Sequence, residues 1–413
     1  MNPQSKYQID TPENRAFLEE CRQDLLRFGH QFPSPSGSSY YLSDDGSPWP
    51  DRPCETWITS RMVHVYSLGI LLGHEGSEAL VDAGLKGLMT ELRDHHHDGW
   101  FSGITSDHRI LPDKQCYAHA FVILAACSAL LAGKKQAEEL LHDALRCFDR
   151  FFWDEQEGLC RDSWNTEFTV LDEYRGLNAN MHTVEAFLAV ADVLNDERYR
   201  QRCERIIRRV VQWAQTNQWR IPEHFSSDWK PDLQRNADRP DDPFKPYGAT
   251  CGHGIEWARL IIQWALCAAI PDKQRQEMIE AAEHLYQRAM SDGWCADGAE
   301  GIVYTTDWNG KPVVHDRMHW TLAEAINTSA CLWHLTKKPA YAKDAEKLMR
   351  YLDEKVIDPV HGSWFHQLDR HNQVIGTVWP GKPDLYHAVQ ATLIPYAPPH
   401  LSIAVAVKNK VLF

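Results

Sequence analysis

Hydrophobic residues recur at helical spacing along most of the chain, in two kinds of segment that alternate. In the first kind they cover one face, which predicts amphipathic outer helices. These segments are residues 12–29, 77–94, 135–152, 196–217, 273–290 and 341–356. In the second kind nearly every position is apolar, which predicts helices buried on all sides. These segments are residues 55–73, 114–132, 179–195, 251–270, 317–336 and 385–396.

The connections between these segments differ in length with their direction. Turns from an inner to an outer segment are short, as at residues 73–76 and 133–135. The connections back are long and carry Gly, Asp and Trp at hairpin-like positions, including an Asn309-Gly310 turn. Because elaborated loops on one face commonly build a site, we expect the long loops and their short β-hairpins to surround the functional pocket.

A polar or aromatic residue recurs near the start of every inner segment. The six positions are Arg61, His119, His182, His253, Trp320 and His387, at intervals of 58 to 71 residues. A two-helix unit repeated in this way is typical of stacked helical hairpins. The predicted fold class is all-α, an (α/α)6 barrel formed as one domain over residues 1–413, with the inner helix starts converging on a histidine-rich pocket.

Composition restricts the classes of function. A net charge of −14 over 413 residues argues against a nucleic-acid partner, since phosphate binding requires a basic face. No apolar run approaches the ~20 residues of a membrane-spanning helix, and residues 1–10 lack the apolar core of a secretory signal. The eleven cysteines include no Cys-x-x-Cys pair, as is typical of reduced proteins. We expect a cytoplasmic protein without a membrane partner, and its oligomeric state stays open.

The most distinctive motif is Gly252–Trp257, which follows a polar, Pro-rich stretch at residues 222–247. A loop of that length commonly serves a function such as walling a pocket. A lone histidine is more often structural, but the glycines beside His253 permit close approach, and Glu256 is spaced to hold its ring. The segment from Asn178 through His182 to Glu185 repeats the His-x-x-Glu spacing.

The residue types at these positions suit a polyhydroxylated substrate. Imidazole accepts and returns protons near neutral pH. Arg61 can clamp a hydroxyl or an anion, while Trp57, Tyr117 and Trp320 offer stacking surfaces. His119 is included among the binding residues because it belongs to the repeat.

Metal and cofactor motifs find little support. The run from His95 to His97 lies in a loop behind an outer helix, and the pair His315 and His319 lacks the Glu of His-Glu-x-x-His. Dinucleotide, phosphate-loop and serine-hydrolase motifs are missing from the sequence. We therefore predict no metal and no cofactor.

Five segments, in order along the chain, resemble the N-acylglucosamine 2-epimerase superfamily and, within it, the aldose–ketose isomerases acting on mannose and sulfoquinovose. They are Trp57–Ser67, Glu173–His182, Gly252–Leu260, Asp297–Tyr304 and Lys382–His387. The resemblance implies a metal-independent (α/α)6 barrel acting on a monosaccharide. It implies catalytic histidines at His253 and His387. It further implies that the sugar is bound or oriented by Arg61, Asn178, His182, Glu256 and Trp320.

Two departures from that pattern bear on the substrate. The sulfoquinovose isomerases that this chain resembles look to carry glutamines near the sulfonate end of the sugar. At the corresponding positions this chain has His366 and Pro383. We therefore expect a mannose-type enzyme that interconverts D-mannose and D-fructose, and D-lyxose and D-xylulose as a further pair. The expected route is histidine acid/base transfer through a cis-enediol.

Three alternatives remain open from the sequence. A 2-epimerase on the same fold could also use a histidine pair. A glycoside hydrolase would need two carboxylates, for which Asp107, Asp172 and Glu223 are candidates. A non-catalytic sugar-binding ring would keep the aromatic residues without needing the histidines.

Overall fold

A computed structural model of the protein describes residues 5–413. Residues 1–4, which belong to the predicted domain and to the N-terminal segment considered above, lie outside the described part. The helices fall close to the predicted segments. In chain order they are α1 (Pro12–Phe28), α2 (Thr56–Leu72), α3 (Ser77–Met89), α4 (Cys116–Leu131), α5 (Gln136–Phe151), α6 (Leu177–Leu194), α7 (Glu197–Thr216), α8 (Cys251–Cys267), α9 (Asp272–Gly293), α10 (His319–Thr336), α11 (Pro339–Tyr351), α12 (Tyr386–Ala391) and α13 (Ile403–Lys408).

The even-numbered helices from α2 to α12 form an inner ring, in which each packs on the next and α12 returns to α2. Each of the outer helices α3, α5, α7, α9 and α11 packs on the inner helix that precedes it, and α1 packs on α12 and α2. The two ends of the chain thus complete one circle. The predicted (α/α)6 barrel is confirmed.

The two helix classes follow from their side chains. Almost every residue of α4 is buried, and its many alanines let neighbouring inner helices approach closely. In α5 the buried residues, such as Ala137, Leu141 and Phe148, fall on one stripe. The inner-to-outer turns are tight, and Gly73, at φ 78°, ends α2 in the left-handed conformation that glycine adopts without strain.

Short antiparallel strands tie the long loops together at one end of the ring. The strand before an inner helix pairs with the loop that follows the next outer helix. These pairs are Cys54–Glu55 with Gly103–Ile104, Asp113–Gln115 with Ser163–Asn165, Arg175–Gly176 with His224–Phe225, Ala249–Thr250 with Thr305–Thr306, and Arg317–Met318 with Gln367–Leu368.

The same relation closes the circle, because the Lys382 N–H donates to the carbonyl of Leu42 at 2.9 Å. Three further pairs form hairpins within single loops: Tyr41–Leu42 with Pro48–Trp49, Trp153–Asp154 with Leu159–Cys160, and Thr305–Thr306 with Pro312–Val314. The last of these surrounds the predicted Asn309-Gly310 turn. The belt of strands fixes the first residues of the inner helices at the loop face.

The largest departure from the predicted helices lies near the C-terminus. The segment predicted at residues 385–396 is helical only over α12, followed by a short 3₁₀ turn at Ile394–Tyr396. Pro395 has no N–H to continue an α-helix, which accounts for the interruption. The chain then crosses the end of the ring opposite the loops, where α13 packs on α2, α4 and α6. No helix within residues 5–413 is both long and apolar enough to cross a membrane.

Candidate active site

A cavity of about 610 Å³ opens at the loop face, where the N-terminal parts of the inner helices meet. Its walls combine aromatic rings, imidazoles and carboxyl groups. They are formed by Trp57, Arg61, Tyr117, Asn178, His182, Pro243, Phe244, His253, Glu256, Tyr304, His319, Trp320, His366, Trp379, Pro383, Asp384 and His387. Apart from His119, all residues that the sequence assigned to the site lie in this lining. The long loop at residues 222–247 contributes Pro243 and Phe244, as a pocket wall would.

His119 does not lie in the pocket, so its assignment to substrate binding is wrong. Its Nδ1 bonds the carbonyl of Gln115 at 2.7 Å, and its Nε2 accepts the Trp100 N–H at 3.0 Å. Burial lowers its pKa to about 3. The error is one of helical register: His119 stands three positions into its helix, whereas Arg61 and His182 stand five positions into theirs. At 3.6 residues per turn, that turns His119 about 200° away from the pocket.

His253 is held by a carboxylate from the long loop. Its Nδ1 lies 3.0 Å from Oε2 of Glu223, so that the Nδ1–H donates and Nε2 is left for the pocket. The Leu177 N–H binds the backbone carbonyl of Glu223 at 3.1 Å and fixes the start of this loop. The expectation that Glu256 holds the His253 ring is therefore wrong. The Glu256 carboxyl approaches His182 instead, at 3.9 Å.

His387 is held by a carboxylate from an inner helix. Its Nδ1 lies 3.1 Å from Oε1 of Glu324, and the other oxygen of Glu324 accepts a hydrogen bond from Nε of Arg259 at 2.8 Å. His387, Glu324 and Arg259 are all at most 5% exposed. Burial lowers the pKa of His387 well below its ordinary value, so the ring is neutral at pH 7. A neutral ring with Nδ1–H directed at Glu324 offers Nε2 as a proton acceptor.

His182 has the carboxylate partner that its His-x-x-Glu spacing predicts. Oε2 of Glu185 lies 3.4 Å from its Nδ1 and also accepts a hydrogen bond from the Tyr386 hydroxyl. Burial lowers the pKa of His182 to about 4. Burial opposes the charge of Glu185, but the hydrogen bond from His182 and the charge of Arg259 prevail and lower its pKa. His182 is thus a neutral, oriented ring.

Trp320 lies between the two histidines for which catalysis was predicted. Its ring centroid is 5.1 Å from that of His253 and 5.8 Å from that of His387. This position depends on Gly252, because a Cβ there would come within 2.4 Å of the indole. A small polar ligand beside Trp320 would be close to both imidazoles.

The Arg61 guanidinium already has partners within the protein, so it is not a simple anion clamp. Its Nη1 donates to Asp384 at 2.8 Å, and its Nη2 donates to the Tyr117 hydroxyl at 2.8 Å. The guanidinium also lies over the Phe121 ring at 4.2 Å. Although burial disfavours both charges, Asp384 raises the pKa of Arg61 and Arg61 lowers that of Asp384. The two form a buried ion pair in the pocket wall.

His366 and His319 form a stacked pair, with ring centroids 3.7 Å apart. Both nitrogens of His366 are engaged by backbone: Nδ1 with the Trp364 carbonyl at 3.1 Å, and Nε2 with the Asp384 N–H at 3.0 Å. Nε2 of His319, by contrast, has no hydrogen-bond partner among residues 5–413. His319, which the sequence analysis considered only as a metal ligand, therefore offers a polar atom to the pocket.

Two groups of buried side chains have the ligand types that hold a metal ion. They are His182, Glu185 and Glu256, and Glu256, Glu324 and His387, with the candidate atoms of each group within 4.8 Å of one another. The Arg259 guanidinium lies among the same carboxyl groups, 3.7 Å from Glu256 and 3.9 Å from Glu185. It supplies positive charge where a cation would otherwise be needed. The absence of a metal stays a prediction.

Sequence reasoning missed several residues of this site. Glu324, Arg259 and Asp384 were not proposed, and Glu223 was considered only as a hydrolase carboxylate. One signal was available: Glu324 and Arg259 are charged residues within nearly continuous apolar helices, and a buried charge requires a partner. The identity of that partner depended on the ring, since Glu324 and His387 are 63 residues apart.

Comparisons with known proteins agree with this architecture. The chain is 41% identical over 394 residues to D-mannose isomerase of Thermobifida fusca, covering 95% of this chain and 96% of that protein. It is 41% identical over 355 residues to D-mannose isomerase of Pseudomonas cannabina pv. alisalensis, covering 85% and 86%. A crystal structure of a D-mannose isomerase shares the fold, with a TM-score of 0.85, 23% identity, and 92% and 97% of the two chains covered.

The model of the N-acylglucosamine 2-epimerase (GlcNAc 2-epimerase) family matches residues 37–391, which include all the inner helices and the complete pocket. The two curated relatives support an aldose–ketose isomerase. The chain belongs to the N-acylglucosamine 2-epimerase family.

Proposed function

We propose that this protein interconverts D-mannose and D-fructose, and also D-lyxose and D-xylulose, by proton transfer between histidines and without a metal ion. The observation that carries the proposal is the pair His253 and His387. Each is held at Nδ1 by a carboxylate, and both rings lie within 5.8 Å of the Trp320 ring, measured between centroids. Two oriented imidazoles over one binding surface suit the removal and return of a proton at neighbouring carbons.

The chemistry begins with opening of the pyranose ring, which exposes the C1 aldehyde. One of the two histidines then takes the proton from C2, and the electron pair moves into the C1–C2 bond while O1 gains a proton, giving a cis-enediol. Loss of the O2 proton and return of a proton to C1 complete the 2-ketose. His253 and His387 carry out these transfers, and which of them acts at C2 stays open.

Protonation states in the pocket fit this scheme. A base must start neutral, and burial holds His387 neutral well below pH 7. Burial and the charge of Glu324 raise the pKa of Glu256 well above its ordinary value. As a neutral acid, Glu256 can donate a hydrogen bond to an oxygen that gains charge during enolisation. His182 and Arg61 hold hydroxyls of the sugar.

Several buried polar atoms of the pocket are available to a sugar. Nε1 of Trp57, Oδ1 of Asn178, Oε1 of Glu256 and Nε2 of His319 have no hydrogen-bond partner within the described part of the chain. An unpaired buried polar group costs about 1–3 kcal/mol. Hydroxyls, which both donate and accept, would satisfy this mixed set.

The geometry favours a neutral sugar over sulfoquinovose. A sulfonate needs hydrogen-bond donors, but both nitrogens of His366 are engaged by backbone and Pro383 offers neither an N–H nor a polar side chain. Arg61 is already neutralised by Asp384. We therefore expect a higher specificity constant for mannose, which competition of the two sugars in one reaction measures. A higher constant for sulfoquinovose would contradict this assignment.

A glycoside hydrolase finds less support. Asp107 and Asp172 do not line the pocket, and Asp107 binds exposed neighbours at Thr105 and Arg109. Glu223 is engaged with His253. A 2-epimerase would use a similar histidine pair, so the product must decide between the two reactions.

The deciding experiment is NMR of the purified protein with a panel of aldoses. Formation of fructose from mannose, and of xylulose from lyxose, is the expected result. Accumulation of glucose from mannose without fructose would replace the isomerase with a 2-epimerase. No change in any aldose would leave a sugar-binding ring.

Two further assignments concern the domain organisation and the location of the protein. We propose one catalytic domain, because a single closed circle of helix contacts extends from α1 to α12. We also propose a cytoplasmic location, which the eleven free thiols favour.

A further inference from the structure

A second cavity lies at the end of the ring opposite the loops and encloses about 600 Å³, close to the volume of the pocket. Inner helices contribute its walls, for example through Ser128, Gln263 and Cys331. The segment after α12, including Pro398 and Leu401, crosses over it. We call it the base cavity.

Three uncharged polar side chains that line this cavity have polar atoms without a hydrogen-bond partner. Gln263, Gln390 and Ser402 line it and are 8%, 1% and 8% exposed. Oε1 of Gln390 and Oγ of Ser402 have no hydrogen-bond partner among residues 5–413, and the Gln263 amide forms no hydrogen bond to any other described residue. Buried polar atoms in native proteins nearly always have partners, so this set implies an occupant with hydrogen-bonding groups.

The character of the occupant follows from the remaining wall. Leu124, Leu131 and Ile394 supply apolar surface. The charged residues that border the cavity, Glu185 and Arg259, are engaged with the His182 and Glu324 side chains of the active site. Their charges are thus balanced within the protein, although Nη2 of Arg259 has no hydrogen-bond partner among residues 5–413 and can donate to an occupant.

We propose that the base cavity is a second binding site, for a small neutral polyol. A polyol hydroxyl can donate to Oε1 of Gln390, accept from the Gln263 amide and do either with Ser402, while its C–H groups contact the apolar wall. The two cavities are of similar extent, at about 600 and 610 Å³. This inference does not depend on the reaction catalysed at the loop face.

The site is separated from the active site by a single layer of side chains. Nε2 of Gln390 lies 3.4 Å from Oε1 of Glu185, whose other oxygen contacts His182. The same Nε2 of Gln390 lies 3.4 Å from Nε2 of His64. Nδ1 of His64 in turn lies 2.7 Å from Oγ of Ser128. These contacts define the boundary between the two cavities.

Xylitol binding, measured by isothermal titration calorimetry, tests the proposal. The variants are Gln263→Leu in the base cavity and Trp57→Ala in the pocket. We expect a binding event that Gln263→Leu weakens about tenfold and Trp57→Ala leaves unchanged, since only Gln263→Leu removes a hydrogen-bond donor to the polyol. Ser402→Ala is a smaller change and should weaken the same event severalfold if Gln263→Leu does not fold.

Two results would overturn the proposal. Binding that is lost in Trp57→Ala but unaffected by the base-cavity variants would locate xylitol in the pocket alone. No binding up to high xylitol concentration would mean that the unpaired groups are satisfied by water only. Circular dichroism and thermal unfolding of Gln263→Leu, compared with the wild type, serve as the control for an intact fold.

Discussion

The two central histidines are held from different parts of the molecule. The partner of His253 is Glu223, at the start of the long loop, whereas the partner of His387 is Glu324, inside α10. Glu324 also binds Arg259, which approaches two further carboxyl groups. The hydrogen bonds to the histidines are nearly equal in length, at 3.0 and 3.1 Å. The surroundings are what differ.

This difference teaches how one pocket combines fixed and adjustable parts. The Glu324 side of the site belongs to the barrel interior, where changing one charge disturbs its neighbours. Glu223 lies at the start of a loop outside the helices, whose course is set by contacts such as a hydrogen bond between Nε2 of His224 and the Pro246 carbonyl at 2.8 Å. We infer that the carboxylate partner of the loop-held histidine can be altered with little loss of stability, and the partner of the core-held histidine less easily.

The largest expected effect comes from removing either ring. His253→Ala and His387→Ala should each lower kcat/KM by about 10²–10⁴, because a general acid or base is lost. Circular dichroism should show an unchanged helical fold in both variants. Turnover close to the wild type in one of them would remove that histidine from the mechanism and leave the other as the single proton carrier.

The partner carboxylates should separate activity from stability. Glu223→Gln and Glu324→Gln each replace one carboxylate oxygen by an amide NH2 group. This group can donate to Nδ1 and hold the ring in the wrong tautomer, so we expect kcat to fall by up to about 10⁴ in both. Only Glu324→Gln should also destabilise the fold, by about 3–5 kcal/mol, because it removes the negative charge that pairs with the buried guanidinium of Arg259. Urea unfolding with each variant measures this.

The Glu223 variant is the matched control, since both substitutions are isosteric and act on a histidine. Equal unfolding free energies for the two variants would contradict the distinction between loop-held and core-held partners. Full activity in either variant would show that its carboxylate does not orient the ring.

The sequence could predict the elements of this comparison only in part. Helical periodicity located the ring, and spacing within one helix found the Glu185 partner of His182. The same spacing argument failed for His253, where Glu256 was the expected partner and Glu223 is the one found. Spacing reports contacts between successive turns of one helix, whereas Glu223 and Glu324 reach their histidines from a neighbouring loop and a neighbouring helix.

The His119 error has a related cause. A repeat of similar residues near helix starts predicts where the helices begin but not which face each residue occupies. A shift of two positions in an α-helix turns a side chain about 200°. The strands that set where α4 begins come from pairing between Asp113–Gln115 and Ser163–Asn165, which no local pattern encodes.

Acid titration tests the burial of the core-held histidine. Its pKa is lowered, so the base should stay neutral and kcat/KM should hold below the ordinary histidine pKa of about 6.5. The stability of the folded state should decline as pH falls below about 6.5. The histidines of the unfolded chain then bind protons, whereas the buried His387 and His182 of the folded chain stay neutral. Rate and melting profiles measure both. An acid limb of kcat/KM at or above pH 6.5 would contradict a buried neutral base.

The smallest expected effect is that of removing metal ions with a chelator. This test concerns only the part of the pocket that contains the core-held His387. Glu256, Glu324 and His387 could together hold an ion, whereas His253 belongs to neither of the candidate metal groups found in residues 5–413. Because Arg259 already places a positive charge among these carboxyl groups, we expect activity to survive exhaustive treatment with EDTA. Fructose formed from mannose in D2O should carry deuterium at C1, because a proton held on an imidazole exchanges with water before it returns to carbon.

The two readouts are independent. A closed pocket lowers deuterium incorporation without a metal, so the response to EDTA is the harder test. Loss of activity with EDTA, restored by a divalent ion, would assign the reaction to the Glu256, Glu324 and His387 group and to hydride transfer between C2 and C1. In that case His387 would be a ligand rather than a base, and His253 would remain as the only free imidazole of the pair.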